Sequence, residues 1–184
     1  MQMATAGSFL LFDRLGHNGG LSGTVTTAQT VNGTIPASRN AATDGSDVEW
    51  WLEWYTDTGS TAVTATVTYT NQSDVGSRTC TVSLAATMRA GRMLPIQPTT
   101  AGDMIKSIQS VTLSATTGTA GSFGVTLTKR YAHAPVAVTN LVNTQGPFQT
   151  RIPEVPNDAA LFGAVLCSTT STGLVQGLIV LGQA

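Results

Sequence analysis

The chain has 184 residues and a mass of 19.0 kDa, enough for one domain with a real core. Its charged fraction is 10%, far below the roughly 25% of ordinary soluble domains, so Thr, Ser, Asn and Gln must carry its solubility. A net charge of −1 and a pI of about 6.0 argue against a nucleic-acid-binding surface, which needs clustered Lys and Arg.

The start of the chain has no basic segment, and the apolar run Phe9-Leu10-Leu11-Phe12 is too short for a signal peptide. No apolar run is long enough for a membrane helix, because Gln176 and glycines interrupt the one near the C-terminus. The expectation is a chain made and kept in a reducing cytoplasm. Phe9 to Phe12 suits a short first strand. After it, Gly16, Gly19, Gly20 and Gly23, with Asn18, disfavour regular structure. Residues 24–35 are rich in Thr and Val but are interrupted by Asn32-Gly33. Residues 1–36 therefore read as an extended, Gly-rich N-terminal arm with at most a weak strand. Residues 37–184 read as a single domain.

Residues 48–55, Val-Glu-Trp-Trp-Leu-Glu-Trp-Tyr, hold all three tryptophans. As a strand they place Trp50, Leu52 and Trp54 on one face, a natural core wall. Glu49, Trp51, Glu53 and Tyr55 fall on the other face, where Trp51 and Tyr55 form a candidate aromatic surface.

Residues 60–84 carry the clearest signal. Val67 and Tyr69 alternate with Thr66, Thr68 and Thr70; Cys80, Val82 and Leu84 alternate with Thr79, Thr81 and Ser83. Period two on both sides of a polar, Gly-containing connection predicts an antiparallel hairpin with one wet face. Such a hairpin cannot bury its apolar face alone, so the rest of the chain must supply an opposing layer. Residues 85–104 form a long crossing loop, since Gly91, Pro95 and Pro98 break any helix after a short turn near 85–90.

A second hairpin is expected from 108–115 and 122–129, with Val111, Leu113 and Ala115 facing one way, and Phe123, Val125 and Leu127 likewise. Residues 136–142 suit a strand, and 146–158, with Pro147, Pro153 and Pro156, an irregular connection. Residues 160–167 and 173–181 read as a third hairpin. These last strands lack alternation, which implies burial on both faces: a central strand, or one covered by another subunit. The sum is an all-β chain of about eight antiparallel strands. A two-sheet β-sandwich of jelly-roll type fits it best.

The residues give little sign of chemistry. His17 and His133 stand in no metal-ligand spacing, and no nucleophile elbow or phosphate loop occurs. The best carboxylate pair, Glu49 and Glu53 around Trp51, reads as rim charge that keeps an aromatic strand soluble. Arg89 and Arg92 read as solvated or subunit-contacting. Cys80 and Cys167 sit in apolar strand-like runs and read as free thiols. No catalytic, cofactor or metal residue is expected. Trp51 and Tyr55 fit either an aromatic platform of the carbohydrate-binding kind or packing under a loop or against a subunit.

Leu11-Phe12-Asp13-Arg14-Leu15-Gly16-His17-Asn18-Gly19-Gly20-Leu21-Ser22-Gly23-Thr24 resembles the opening of a group of tailed-bacteriophage virion proteins. Residues 114–127, Ser-Ala-Thr-Thr-Gly-Thr-Ala-Gly-Ser-Phe-Gly-Val-Thr-Leu, are similar to the same group. The resemblance implies a structural component of the particle, and the chain's size suits a capsid decoration (cement) protein on the outer surface. Its partners would then be the major capsid protein and copies of itself, as a homotrimer assembled in the host cytoplasm. Phe12, Asp13, Arg14, His17 and Leu21, with Arg89 and Arg92, are the candidate capsid or subunit contacts. A tail or collar protein, or a free carbohydrate-binding module, are the other readings. If the arm makes the contact, deleting residues 1–23 should leave a folded body that no longer attaches.

Overall fold

A computed structural model describes residues 2–3, 6–39, 41–118, 121–136, 154–167 and 175–176. These hold eleven strands: β1 (Gln2–Met3), β2 (Gly7–Ser22), β3 (Gln29–Thr34), β4 (Val48–Trp54), β5 (Val63–Asn71), β6 (Arg78–Leu84), β7 (Met93–Ile96), β8 (Ile105–Leu113), β9 (Ser122–Val136), β10 (Leu161–Cys167) and β11 (Val175–Gln176). No helix occurs among the described residues, the short turn near 85–90 included. The chain divides into two compact units, Arg14–Lys129 and Met1–Asp13 with Arg130–Ala184. The division falls inside β2 and β9, and residue 36 is no boundary.

In Arg14–Lys129, a four-stranded antiparallel sheet runs β3-β8-β5-β6. The expected hairpin is β5 with β6, in the register Val67↔Cys80 and Thr66↔Thr81. Val63, Ala65, Val67 and Tyr69 are buried, while the threonines between them stay partly wet. β-Branched residues suit this pleated, half-buried surface, and Thr–Thr pairs across strands add hydrogen-bonding capacity on its wet side.

The opposing layer comes from the five-stranded sheet β10-β2-β9-β4-β7. On β4, Trp50, Leu52 and Trp54 are buried as alternation requires. They face Phe123, Val125 and Leu127 of β9 within one core that also takes Tyr69, Ile108 and Val111. Trp54 stacks on Phe123 with centroids 4.5 Å apart. Trp50 Nε1 donates across the layers to the Ile105 carbonyl at 3.0 Å, satisfying a polar group that burial would otherwise penalise. The molecule is thus an all-β, two-sheet sandwich.

Four expectations change. The expected loop 85–104 contains a strand, β7, which pairs with β4. Residues 108–115 and 122–129 do not form a hairpin: β8 pairs with β3 and β5, whereas β9 pairs with β4. β8 belongs to the four-stranded sheet and β9 to the five-stranded one. Local alternation shows that a strand has an apolar face but not which sheet it joins. Next, residues 7–22 form a long strand and 29–34 another, so this stretch is not a free arm. Leu15, Leu21 and Val31 join the core, and their burial outweighs the local cost of the glycines. Deleting residues 1–23 would therefore remove a sheet strand and its core leucines. Finally, β10 does not pair with residues 173–181 among the described residues. It pairs with β2, from Leu161↔Asp13 to Cys167↔Gly7, while Val175 and Gln176 pair with β1. Residues 137–153 and 177–184 lie outside the described residues, so the strand expected at 136–142 is seen only at Val136, the end of β9.

Candidate functional site

The outward face of β4 does not stand in water alone. Facing it on β9 are Gly124, Thr126 and Thr128, in the register Glu53↔Gly124, Trp51↔Thr126 and Glu49↔Thr128. Thr126 and Thr128 are fully buried. A strand buried on both faces needs partners for any outward hydroxyl, and both threonines have them.

Thr126 Oγ1 donates to Glu53 Oε2 at 2.5 Å and lies 2.9 Å from His17 Nδ1. Arg14 Nη2 donates to both Glu53 oxygens, at 2.9 and 3.1 Å. His17 Nε2 lies 3.0 Å from the Tyr55 hydroxyl. One order of hydrogens satisfies every group with neutral imidazole. The carboxylate only accepts, so the Thr126 hydrogen points at Glu53. Thr126 Oγ1 then accepts from His17 Nδ1–H, which leaves Nε2 to accept from Tyr55. The result is a directed chain, Tyr55 to His17 to Thr126 to Glu53, closed by Arg14. The Tyr55 hydroxyl is pushed up to about 12, first by burial and then by the nearby Glu53 carboxylate, so it stays protonated and donating at neutral pH.

Two glycines make room for this cluster. A Cβ on Gly124 would overlap the Tyr55 hydroxyl and the Asn18 carbonyl. A Cβ on Gly19 would sit 3.3 Å from His17 Nε2. Trp51 Nε1 donates to Thr128 Oγ1 at 2.9 Å, so that indole too is tied to β9 by its polar edge.

The structure therefore brings four of the expected residues, Arg14, His17, Trp51 and Tyr55, to one face of one sheet. Glu53 joins them as their hub. It is not rim charge, since its side chain is only 15% exposed and holds the Arg14 guanidinium. The sequence reading missed Thr126 and Gly124, although the period-two placement of 124, 126 and 128 on one face was there to be read.

The other expected contacts are elsewhere. Phe12 and Asp13 are fully buried in their own unit and Leu21 is buried in the other, so none presents a side chain to a partner. Phe12 stacks on Phe162 at 5.5 Å, opposite it in the β2–β10 register, and Asp13 Oδ1 accepts from the Ala160 amide at 2.7 Å. Arg89 and Arg92 are exposed. Arg89 pairs with Asp57 at 2.7 Å, and the Ala90 amide and Arg89 hold the Asp57 carboxyl below the usual range. Cys80 is a free, buried thiol pushed up to about 11 by desolvation; Cys167 is free and half-buried.

The second surface of note is β10, Leu-Phe-Gly-Ala-Val-Leu-Cys, at the outside of the five-stranded sheet. It was expected to be central or covered by another subunit. Among the described residues it is not central, and in the single chain Val165 is 41% and Leu166 64% exposed. Gly163 leaves space for the Phe9 ring, which a Cβ there would overlap. Among the described residues, no group of three or more His, Cys, Asp or Glu is placed to hold a metal ion. A scan of family models finds no match to the chain, and comparisons with curated proteins and with solved structures find none either.

Proposed function

We propose that the chain is a non-catalytic structural component of a bacteriophage particle, of the decoration type that binds the outer capsid and strengthens contacts between capsomers. The observation that carries this reading is β10, an uncharged, apolar strand that comes last in the five-stranded sheet among the described residues, with Val165 and Leu166 exposed. An edge of that kind invites pairing with another chain, and monomeric proteins usually blunt it. The low charge of the whole chain and the resemblance at residues 11–24 and 114–127 support the same reading. We read the sandwich as jelly-roll in type, because every connection from β2 to β9 except the β5–β6 hairpin changes sheet. The Tyr55–His17–Thr126–Glu53–Arg14 chain then has a mechanical role: it locks β2, β4 and β9 together on their outward face.

The test is particle composition and imaging. Purified particles should contain the chain in many copies on the outer capsid surface. Particles lacking it should release their contents at lower temperature. Absence from purified particles, or a location inside the capsid, overturns the proposal.

A further inference from the structure

The four-stranded sheet ends in β3 on one side and β6 on the other among the described residues. β3 is broken by a register shift between Thr30 and Gly33, which spoils its ladder for a further strand. β6 has no such device. It runs from Arg78 to Leu84 without proline, in unbroken register with β5. Its one charge, Arg78, is paired with Asp103 at 3.1 Å. Exposure marks the flank away from β5 as open. Thr64, Thr66 and Thr68 of β5 have a strand on each side and are half-buried. Ser83, Thr81 and Thr79 of β6 stand directly opposite them on the same wet face and are exposed. An edge strand of this kind offers a row of backbone donors and acceptors to another chain.

We propose, independently of any role on a particle, that β6 pairs with β6 of a second copy of this chain, antiparallel and about a two-fold axis at Thr81. The pairing joins two four-stranded sheets into one of eight strands. Centred on Thr81, it sets Thr81 against its own copy, Cys80 against Val82, Thr79 against Ser83 and Arg78 against Leu84. On the wet face every pair is hydroxyl against hydroxyl, and Thr–Thr and Thr–Ser pairs are favourable across strands. On the other face Cys80, Val82 and Leu84 already belong to the core, and the pairing prolongs their apolar stripe. No like charges meet, because Arg78 faces a leucine. A two-fold contact uses one patch twice, so a strand that complements itself is sufficient. Centring on Thr81 also pairs all seven residues of the strand.

Seven paired residues extend only about 23 Å. That places the contact in the weak class, below about 1,200 Å² of buried surface. Self-association should therefore depend on concentration.

The test uses the full-length chain. Light scattering over a dilution series should show monomer passing to dimer. Thr81→Lys and Thr81→Glu, at an exposed position, should each keep the parent's circular dichroism spectrum and its melting temperature at high dilution. Each sets like charges against each other across the axis, so each alone should scatter as monomer where the parent is dimer. Mixed in equal amounts, the two variants set opposite charges together, and the dimer should return. In a Cys167→Ser background, which leaves only buried Cys80, Thr81→Cys should give a covalent dimer with a short bifunctional thiol reagent. Thr79→Cys should not, because its own copy would lie about 13 Å further along the strands in this register. A parent that stays monomeric at every concentration overturns the pairing. So does a mixture no more associated than its two parts, or cross-linking through position 79 instead of 81.

Discussion

His17 accepts the Tyr55 hydroxyl hydrogen on Nε2 at 3.0 Å while its Nδ1 lies 2.9 Å from Thr126 Oγ1, so one imidazole joins β2 to both β9 and the end of β4. The rings also meet edge to face, with centroids 5.5 Å apart. Tyr55→Phe keeps the ring contact and removes the hydrogen bond. It should cost about 0.5–1.5 kcal/mol in urea unfolding. His17→Ala should cost more. In the double-mutant cycle the two losses should fall short of additivity by about 0.5 kcal/mol or more. Full additivity would mean the pair is not coupled.

Alkaline pH should destabilise the protein over a defined window. Cys80 is raised from 9.0 to about 11 by desolvation. Tyr55 and Tyr69 are raised from 10.0 to about 12, both mainly by burial, and Tyr69 also by its hydrogen bond to Asp103. The folded state favours the neutral form of each group. Their contribution is thus fully present below the unfolded values and is lost as pH rises through the folded ones. Unfolding free energy should begin to fall near pH 9, with Cys80, and continue falling to about 12 with the tyrosines. Tyr69→Phe should lower stability at neutral pH and flatten the alkaline slope. An unchanged slope in that variant would refute the assignment.

Gly124→Ala is expected to be disruptive although the position faces outward. The added methyl would overlap the Tyr55 hydroxyl and the Asn18 carbonyl, and one of these is backbone that cannot swing aside. A loss of about 1–3 kcal/mol is expected from the overpacking. Pairing the substitution with Tyr55→Ala should recover only part of it, because the Asn18 clash remains. Complete recovery would place the whole conflict on Tyr55.

What the sequence made legible was the strand and its face. Alternation at 63–71, 78–84 and 48–54 predicted the buried sets that the structure shows, because period two is a local property of the pleat. Pairing was legible only where two strands join by a short turn, as at β5–β6. The β8 and β9 segments look like a hairpin, yet each finds a better-matched neighbour far along the chain. The glycines of 16–23 misled in a related way. They signal loop when counted by propensity, but Gly16, Gly19 and Gly20 lie within β2, and Gly19 leaves space that His17 and Tyr55 fill. The cluster itself was half visible. Arg14, His17, Trp51 and Tyr55 stood out as residue types, whereas the hub role of Glu53 needed the register that sets β4 beside β9.

Glu53→Gln is the most direct probe of that hub. The carboxylate accepts from Arg14 twice and from Thr126 once. An amide has one accepting oxygen, so either Arg14 or Thr126 must then face an NH2 group that only donates. The Thr126 hydroxyl is fully buried and cannot turn to water, so the misfit falls on a group with no alternative. A loss of about 1–3 kcal/mol is expected, little relieved by added salt. Asp74→Asn is the contrast. Its partner Lys106 sits 2.6 Å away, but the side chains are 73% and 38% exposed, and the pair is open to screening. That substitution should cost well under about 1 kcal/mol, and salt should erase the difference. If both variants lose the same stability and respond alike to salt, Glu53 is an ordinary surface charge and the directed chain from Tyr55 to Arg14 does not lock the three strands.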